Sequence, residues 1–303
     1  MDPTKRVFLK MVGSAIVGSA VTQAGVHQLV DRERLVYVEA PKFDVKVLNG
    51  SARAVYVDAV LQRAEKAFPE SKPYLEAIAS ADYKYHKYFD LPPEYFIAML
   101  YQESRFDPFA ISSTYACGIS QFMKPAAEEM GLATYDISRH PELQNLEIAV
   151  NEMNDKLLAL NKSFTREFDK DQFDKAIEHK MQYNALKKKH DTAFRDLKKI
   201  FIETIREQDD LRAWDGRFVW EDAIPAGRRY IGIDCKECQD IFGGRVEHNI
   251  YRGIAAYNAG LKRVYNDHGI AVIKETIRHI NEIMKFTDMI TPEDLVYKPR
   301  IHT

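Results

Sequence analysis

The sequence predicts a mainly α-helical protein, and three observations carry that expectation. Phe96, Ile97, Leu100 and Tyr101 recur at helical spacing directly after Pro92-Pro93, a dipeptide tolerated at a helix start but not inside one. Further stretches, 52–68, 143–160 and 271–286, place Val, Leu and Ile at the same period. From Asp169 to Asp210, charges of both signs alternate with Phe173, Ile177, Met181, Leu186, Phe194, Leu197, Phe201 and Ile205, the pattern of one or two long amphipathic helices.

In chain order, Lys5, Arg6 and Lys10 precede an uncharged run from Met11 to Val26. Residues 1–30 therefore read as a signal peptide or membrane anchor, with membrane contact through 7–26. As a helix the uncharged run reaches about 24 Å, short of the ~30 Å hydrocarbon core, so an anchor needs its flanks. Residues 31–91 read as a linker followed by N-terminal helices: Pro41 and Gly50 break the first part, and Ser51 caps 52–68. Tyr74, Tyr83, Tyr85 and Tyr88 in 72–89 are expected mainly in the core. The helix opened by Pro92-Pro93 is expected to stop at Asp107-Pro108, and Lys124-Pro125 opens a short one that Gly131 ends. The stretch 143–160 is expected to be a core helix supporting the site. Residues 161–245 read as a helical insertion that includes both tryptophans, Trp214 and Trp220, placed for sugar stacking, a protein contact or packing. A helix from about His248 ends at Gly260, another closes the core over 271–286, and 291–303 form a polar tail.

At 303 residues the chain has room for a sizeable core. A net charge of −2 provides no basic stripe, so nucleic acid is not an expected partner. Of three cysteines, Cys235 and Cys238 form a lone C-x-x-C and Cys117 stands apart. A zinc site would require two more ligands, so buried thiols or a local disulfide is the favoured reading, and no metal is expected.

Glu103 falls where the apolar face of the helix after Pro93 runs out. A carboxyl there, against apolar neighbours at the mouth of a cleft, would be held protonated near neutral pH, as a general acid requires. A lone Glu at a helix end is ordinarily a solvated residue, and the distinguishing feature is its company. Glu103-Ser104, Asp107-Pro108, Ser112, Ala116, Gly118 and Gln121-Phe122-Met123 follow in order, then Ala256-Tyr257-Asn258-Ala259-Gly260, then Glu275-Thr276 with His279. These blocks resemble the soluble-type (SLT) lytic transglycosylases, whose catalytic domain is lysozyme-like, of the goose type. The resemblance covers roughly 92–160 and 246–285, and the lysozyme-like domain is expected over 92–160 and 246–290. It implies peptidoglycan glycan strands as substrate, Glu103 as the catalytic residue, and Ser112, Gln121, Tyr257, Asn258 and His279 as substrate-binding residues, with no cofactor. Two positions depart from the pattern: Tyr115 stands where the family has Gly, and His279 where it has Tyr.

Glycoside cleavage ordinarily uses two carboxylates, and the matched blocks offer one. Asp107, four residues on, reads as a turn device. A single acid suffices when the 2-acetamido group of the sugar supplies the second function, an exception to the two-carboxylate rule. A lysozyme-type muramidase, with a base carboxylate from the insertion, and a structural envelope or virion protein with a lapsed site are the alternatives. The expected location is the bacterial envelope, in the periplasm or anchored to the inner membrane, or a phage virion; the insertion is the expected surface for a protein partner.

Overall fold

The computed structural model describes residues 5–8, 36–39, 50–135, 140–270 and 273–292. The uncharged run Met11–Val26 and residues 293–303 lie outside them. Among the described residues no helix is long and apolar enough to cross a membrane. Two short strands, β1 (Lys5–Phe8) and β2 (Val36–Glu39), pair antiparallel. The helices are α1 (Gly50–Ala67), α2 (Leu75–Tyr85), α3 (Pro93–Ser104), α4 (Lys124–Glu129), α5 (Pro141–Phe168), α6 (Phe173–Arg206), α7 (Leu211–Trp214), α8 (Trp220–Phe242), α9 (Val246–Ala259), α10 (Leu261–Asn266) and α11 (Lys274–Ile290). The fold is mainly helical, as the sequence predicts. The chain forms two units, one of residues 43–135 with 209–303, the other of residues 1–42 with 136–208.

The larger unit is built around α3. Pro93 occupies its first turn, where a missing N–H costs nothing. The helix stops at Ser104, three residues before the expected Asp-Pro, because Arg105 adopts a left-handed conformation at φ 57°. That conformation is unfavourable for a side chain, and the Arg105 guanidinium stacks over the Tyr101 ring at 4.1 Å as compensation. Asp107 then forms a turn, its Oδ1 accepting from the Phe109 amide at 2.9 Å. Every residue from Pro93 to Leu100 is buried, so α3 is enclosed on all sides instead of presenting one apolar face. Against it pack α11, with Ile277, Ile280 and Ile283 inward, and α1, with Tyr56, Val60 and Ala64 inward.

Enclosure on all sides places charge in the core. Arg228 of α8 is wholly buried. Its Nε donates to Asp82 Oδ1 at 3.1 Å and its Nη2 to the Phe89 carbonyl at 3.3 Å. Arg53 binds the other Asp82 oxygen at 2.7 Å and also pairs with Asp90. The Tyr56 hydroxyl donates to Glu94 Oε1 at 2.7 Å, and burial pushes the Glu94 carboxyl up to about 7. Such a network ties α1, α2 and α8 to the entry of α3 in one arrangement.

Two expectations change here. Tyr83 and Tyr88 are exposed, not core, because α2 turns Ile78, Ala81 and Asp82 inward and leaves Tyr83 on the outer face. The Trp214–Trp220 segment and α8 fold with Glu103's unit, where α8 packs on α2 and α9. The α8–α9 crossing is tight: a Cβ at Gly253 would lie 2.3 Å from Cys235 Sγ. Cys117, Cys235 and Cys238 are buried thiols, and burial pushes Cys238 up to about 12, which leaves it an inert packing group.

In the smaller unit α5 and α6 form an antiparallel helical hairpin joined through Asp169–Gln172, with Asp171 left-handed at φ 57°. At ~1.5 Å per residue the two helices run roughly 42 and 51 Å. Leu143, Val150 and Leu157 are buried on α5; Ala176, His190, Leu197, Phe201 and Ile205 on α6. These residues recur every seven positions on α5 and are spaced by 14, 7, 4 and 4 on α6, each set a narrow stripe of one face, so the contact is a coiled-coil-like seam. Such a seam is why α5 folds along α6 in the smaller unit, where a core helix of the unit holding Glu103 was expected: one narrow stripe matches another.

Candidate active site

Glu103 sits on the last turn of α3, its side chain 14 % exposed. Residues at the end of an enclosed helix point where the enclosure opens, so the carboxyl is desolvated yet reachable. Loss of solvent pushes it up to about 8. At neutral pH the protonated form therefore dominates. His279 of α11 brings Nε2 to 3.3 Å from Glu103 Oε1. Burial and the nearby Arg278 push His279 down to about 4, so the imidazole is neutral where the carboxyl is protonated.

A small folded loop after α3 forms the floor beside the acid. Ile111 bridges Cys117, and Cys117 bridges Phe122, by antiparallel pairing. The Ser104 hydroxyl donates to the Ile119 carbonyl at 2.8 Å, tying the loop to the residue after the acid. Gly118 has φ 77°, and a Cβ there would lie 1.8 Å from the Arg217 carbonyl oxygen, so no other residue fits. Arg217 is clamped in turn. The Asp215 carboxylate accepts from its Nε at 2.9 Å, from its Nη2 at 2.7 Å, and from the Tyr135 amide at 3.1 Å. Ser120 is fully buried and donates to the Ala223 carbonyl of α8 at 2.9 Å. Tyr115 is left-handed at φ 64°, so the turn that is Gly in the resembling family does carry a side chain here.

The other expected site residues fall into two groups. Tyr257 of α9 lies close enough for the Glu103 charge to raise its phenol, together with burial. Its hydroxyl donates to the Ser120 carbonyl at 2.6 Å, fixing the ring against Phe122 and Tyr230. Asn258 is exposed, and its Oδ1 accepts from Thr276 of α11 at 2.9 Å. Ser112 and Gln121 organise the loop itself. The Ser112 hydroxyl accepts from the Thr114 and Ala116 amides at 3.2 and 2.9 Å. Gln121, at φ 48°, donates its amide to the Gly118 and Ala110 carbonyls at 2.8 and 3.0 Å. Glu103, His279 and Tyr257 are thus gathered, while Ser112 and Gln121 shape the backbone next to them.

Sequence reasoning missed Ser104, Ser120 and the Asp215–Arg217 clamp. The D-G-R run after Trp214 was a signal: an Asp two residues before an Arg, across a Gly, suits a tight turn closed by its own ion pair. Tyr230 and Asp234, one turn apart on α8, were also missed; Asp234 is buried and its carboxyl is raised by desolvation, Glu237 and Glu129. Among the described residues no group of three or more His, Cys, Asp or Glu is arranged to hold a metal ion.

Against known families, the model of the transglycosylase SLT domain matches residues 81–199. Comparison with curated proteins and with solved structures gives no match. The matched range takes in α3, Glu103 and the whole loop floor, continues into the helical hairpin, and stops before the Ala256–Gly260 block. By that match residues 81–199 are similar to the transglycosylase SLT domain.

Proposed function

We propose that the protein is a peptidoglycan lytic transglycosylase that cleaves the β-1,4 bond between N-acetylmuramic acid and N-acetylglucosamine, with Glu103 as its single catalytic carboxyl. One observation carries the reading: within an SLT-matched segment, a desolvated carboxyl raised to about 8 ends the enclosed helix. Protonated Glu103 donates its proton to the glycosidic oxygen as the C1–O bond breaks. The carbonyl oxygen of the muramic acid 2-acetamido group bonds to C1 and forms an oxazolinium ion. The sugar's C6 hydroxyl then attacks C1, breaking the oxazolinium C1–O bond, while the Glu103 carboxylate takes the hydroxyl proton. The acid is regenerated, a 1,6-anhydro ring is formed, and no water is consumed. Tyr257 and Asn258 line the substrate path, and the loop held by Ser112 and Gln121 approaches the sugar by its backbone.

Peptidoglycan as substrate supports a location at the bacterial envelope or in a phage virion, with residues 1–30 directing export or anchoring and the hairpin unit meeting a partner. Fractionation of cells and of purified particles tests this: full-length protein found in neither the envelope nor the particles would count against it. For the activity, purified peptidoglycan is digested with wild-type protein and with Glu103→Gln, and products are read by mass spectrometry. Anhydromuropeptides that vanish in the variant are the expected result. Reducing-end muropeptides would overturn it in favour of a hydrolase.

A further inference from the structure

His279 occupies a position that loop shaping and sugar contact leave unexplained. Its side chain is 8 % exposed, and Nε2 has no hydrogen-bond partner, although Glu103 Oε1 stands 3.3 Å away. A buried ring nitrogen left unbonded is costly, and catalytic hydrogen bonds often tighten only once substrate is bound. Thr276, one turn earlier on α11, is itself held by Asn258, which fixes the rotation of the helix and hence where the imidazole points. We propose that His279 is the positioning residue of the acid: its Nε2–H donates to Glu103 Oε1, so that the acid's proton resides on Oε2, the oxygen turned to the substrate. The proposal rests on the reading of Glu103 as the general acid.

The consequence is geometric and electrostatic. In the acid form Oε1 is the carbonyl oxygen and accepts from the imidazole, which fixes the plane of the carboxyl and frees the Oε2–H for the glycosidic oxygen. After proton transfer the same N–H bonds a carboxylate, a stronger interaction. The imidazole stays neutral throughout, so it serves as a donor and not as a second acid. Among the described residues, the other groups acting on this pair are Arg278 on α11, which disfavours a charged imidazole, and Tyr257 on α9, facing Glu103.

The test uses the full chain with His279→Phe, His279→Gln and His279→Tyr. His279→Phe is expected to lower kcat on solubilised peptidoglycan about ten- to a hundredfold, with little change in KM. Gln and Tyr, which retain a donor, are expected to recover most of that loss. Removing a donor to the carboxylate raises the pKa of Glu103, so the alkaline limb of the Phe variant should move up by about one pH unit. A Phe variant with unchanged kcat and limb would overturn the proposal, as would Gln and Tyr variants that fold yet match Phe. Should no variant cleave peptidoglycan, the functional reading fails and the pair is still testable. A carbon-13 NMR titration of the Glu103 carboxyl, assigned with Glu103→Gln, must shift upward in the Phe variant; an unmoved titration overturns the hydrogen bond.

Discussion

The two units reach stability by opposite means. In the unit holding Glu103, an enclosed helix forces charged groups inside, and several are met by a specified partner: Arg228 by Asp82, Arg217 by Asp215, Glu94 by Tyr56. In the hairpin one stripe of apolar residues meets another, and the remaining faces carry exposed ion pairs such as Lys199–Glu203 at 3.9 Å. One unit depends on geometry residue by residue; the other depends on a repeat. Glu103 stands out against the first background, because the one side chain paired with its carboxyl is the neutral imidazole of His279 and not a cation.

The contrast can be broken at several strengths. Gly118→Ala should have the largest effect, since its Cβ would overlap the Arg217 carbonyl at 1.8 Å with backbone on both sides. A loss of roughly 4 kcal/mol or more is expected in denaturant unfolding. Arg228→Met leaves Asp82 buried with one of its two cationic partners, and should cost about 3–5 kcal/mol in the same measurement. In the hairpin Leu197→Ala should cost about 2–4 kcal/mol through the seam, read by loss of helical circular dichroism. Lys199→Ala, on an exposed face, should stay within about 0.5 kcal/mol. If Lys199 mattered as much as Leu197, the seam description of the hairpin would be wrong.

Glu103→Gln sharpens the comparison from the other side, because it should stabilise the protein. The folded carboxyl is raised from an ordinary 4.5 to about 8. Below pH 4.5 both folded and unfolded chains hold the proton and nothing is lost. Between pH 4.5 and 8 the unfolded chain ionises freely while the folded one resists, so wild-type stability falls. The gain in stability from Glu103→Gln, read by denaturant unfolding, should therefore grow across that window and level off above it, at no more than about 5 kcal/mol. A gain independent of pH would mean that burial of the carboxyl is not its cause.

What the sequence made legible follows the same division. Prolines and glycines marked the helix starts and stops that have a local cause: Pro93, Pro125 and Gly260 stand where the backbone turns. Glu103 was legible because a fading apolar face and the blocks after it are both local in sequence. The Asp82–Arg228 network was not, since its partners lie 146 positions apart and a charged residue in isolation reads as surface. Nor was the return of the Trp214–Trp220 segment to Glu103's unit, which depends on Asp215 reaching the Tyr135 amide. The hairpin limits escaped for a different reason: 143–160 and 173–205 each look like ordinary amphipathic helices, and only the match of their narrow buried stripes links them.

The most direct measurement is the initial rate of peptidoglycan cleavage by wild-type protein from pH 5 to pH 10. If Glu103 works alone and from its protonated form, the rate is level across the acidic and neutral range and falls about tenfold per pH unit above about 8. A rate that rises from pH 5 to 7, as a second carboxylate acting as base would require, would contradict it.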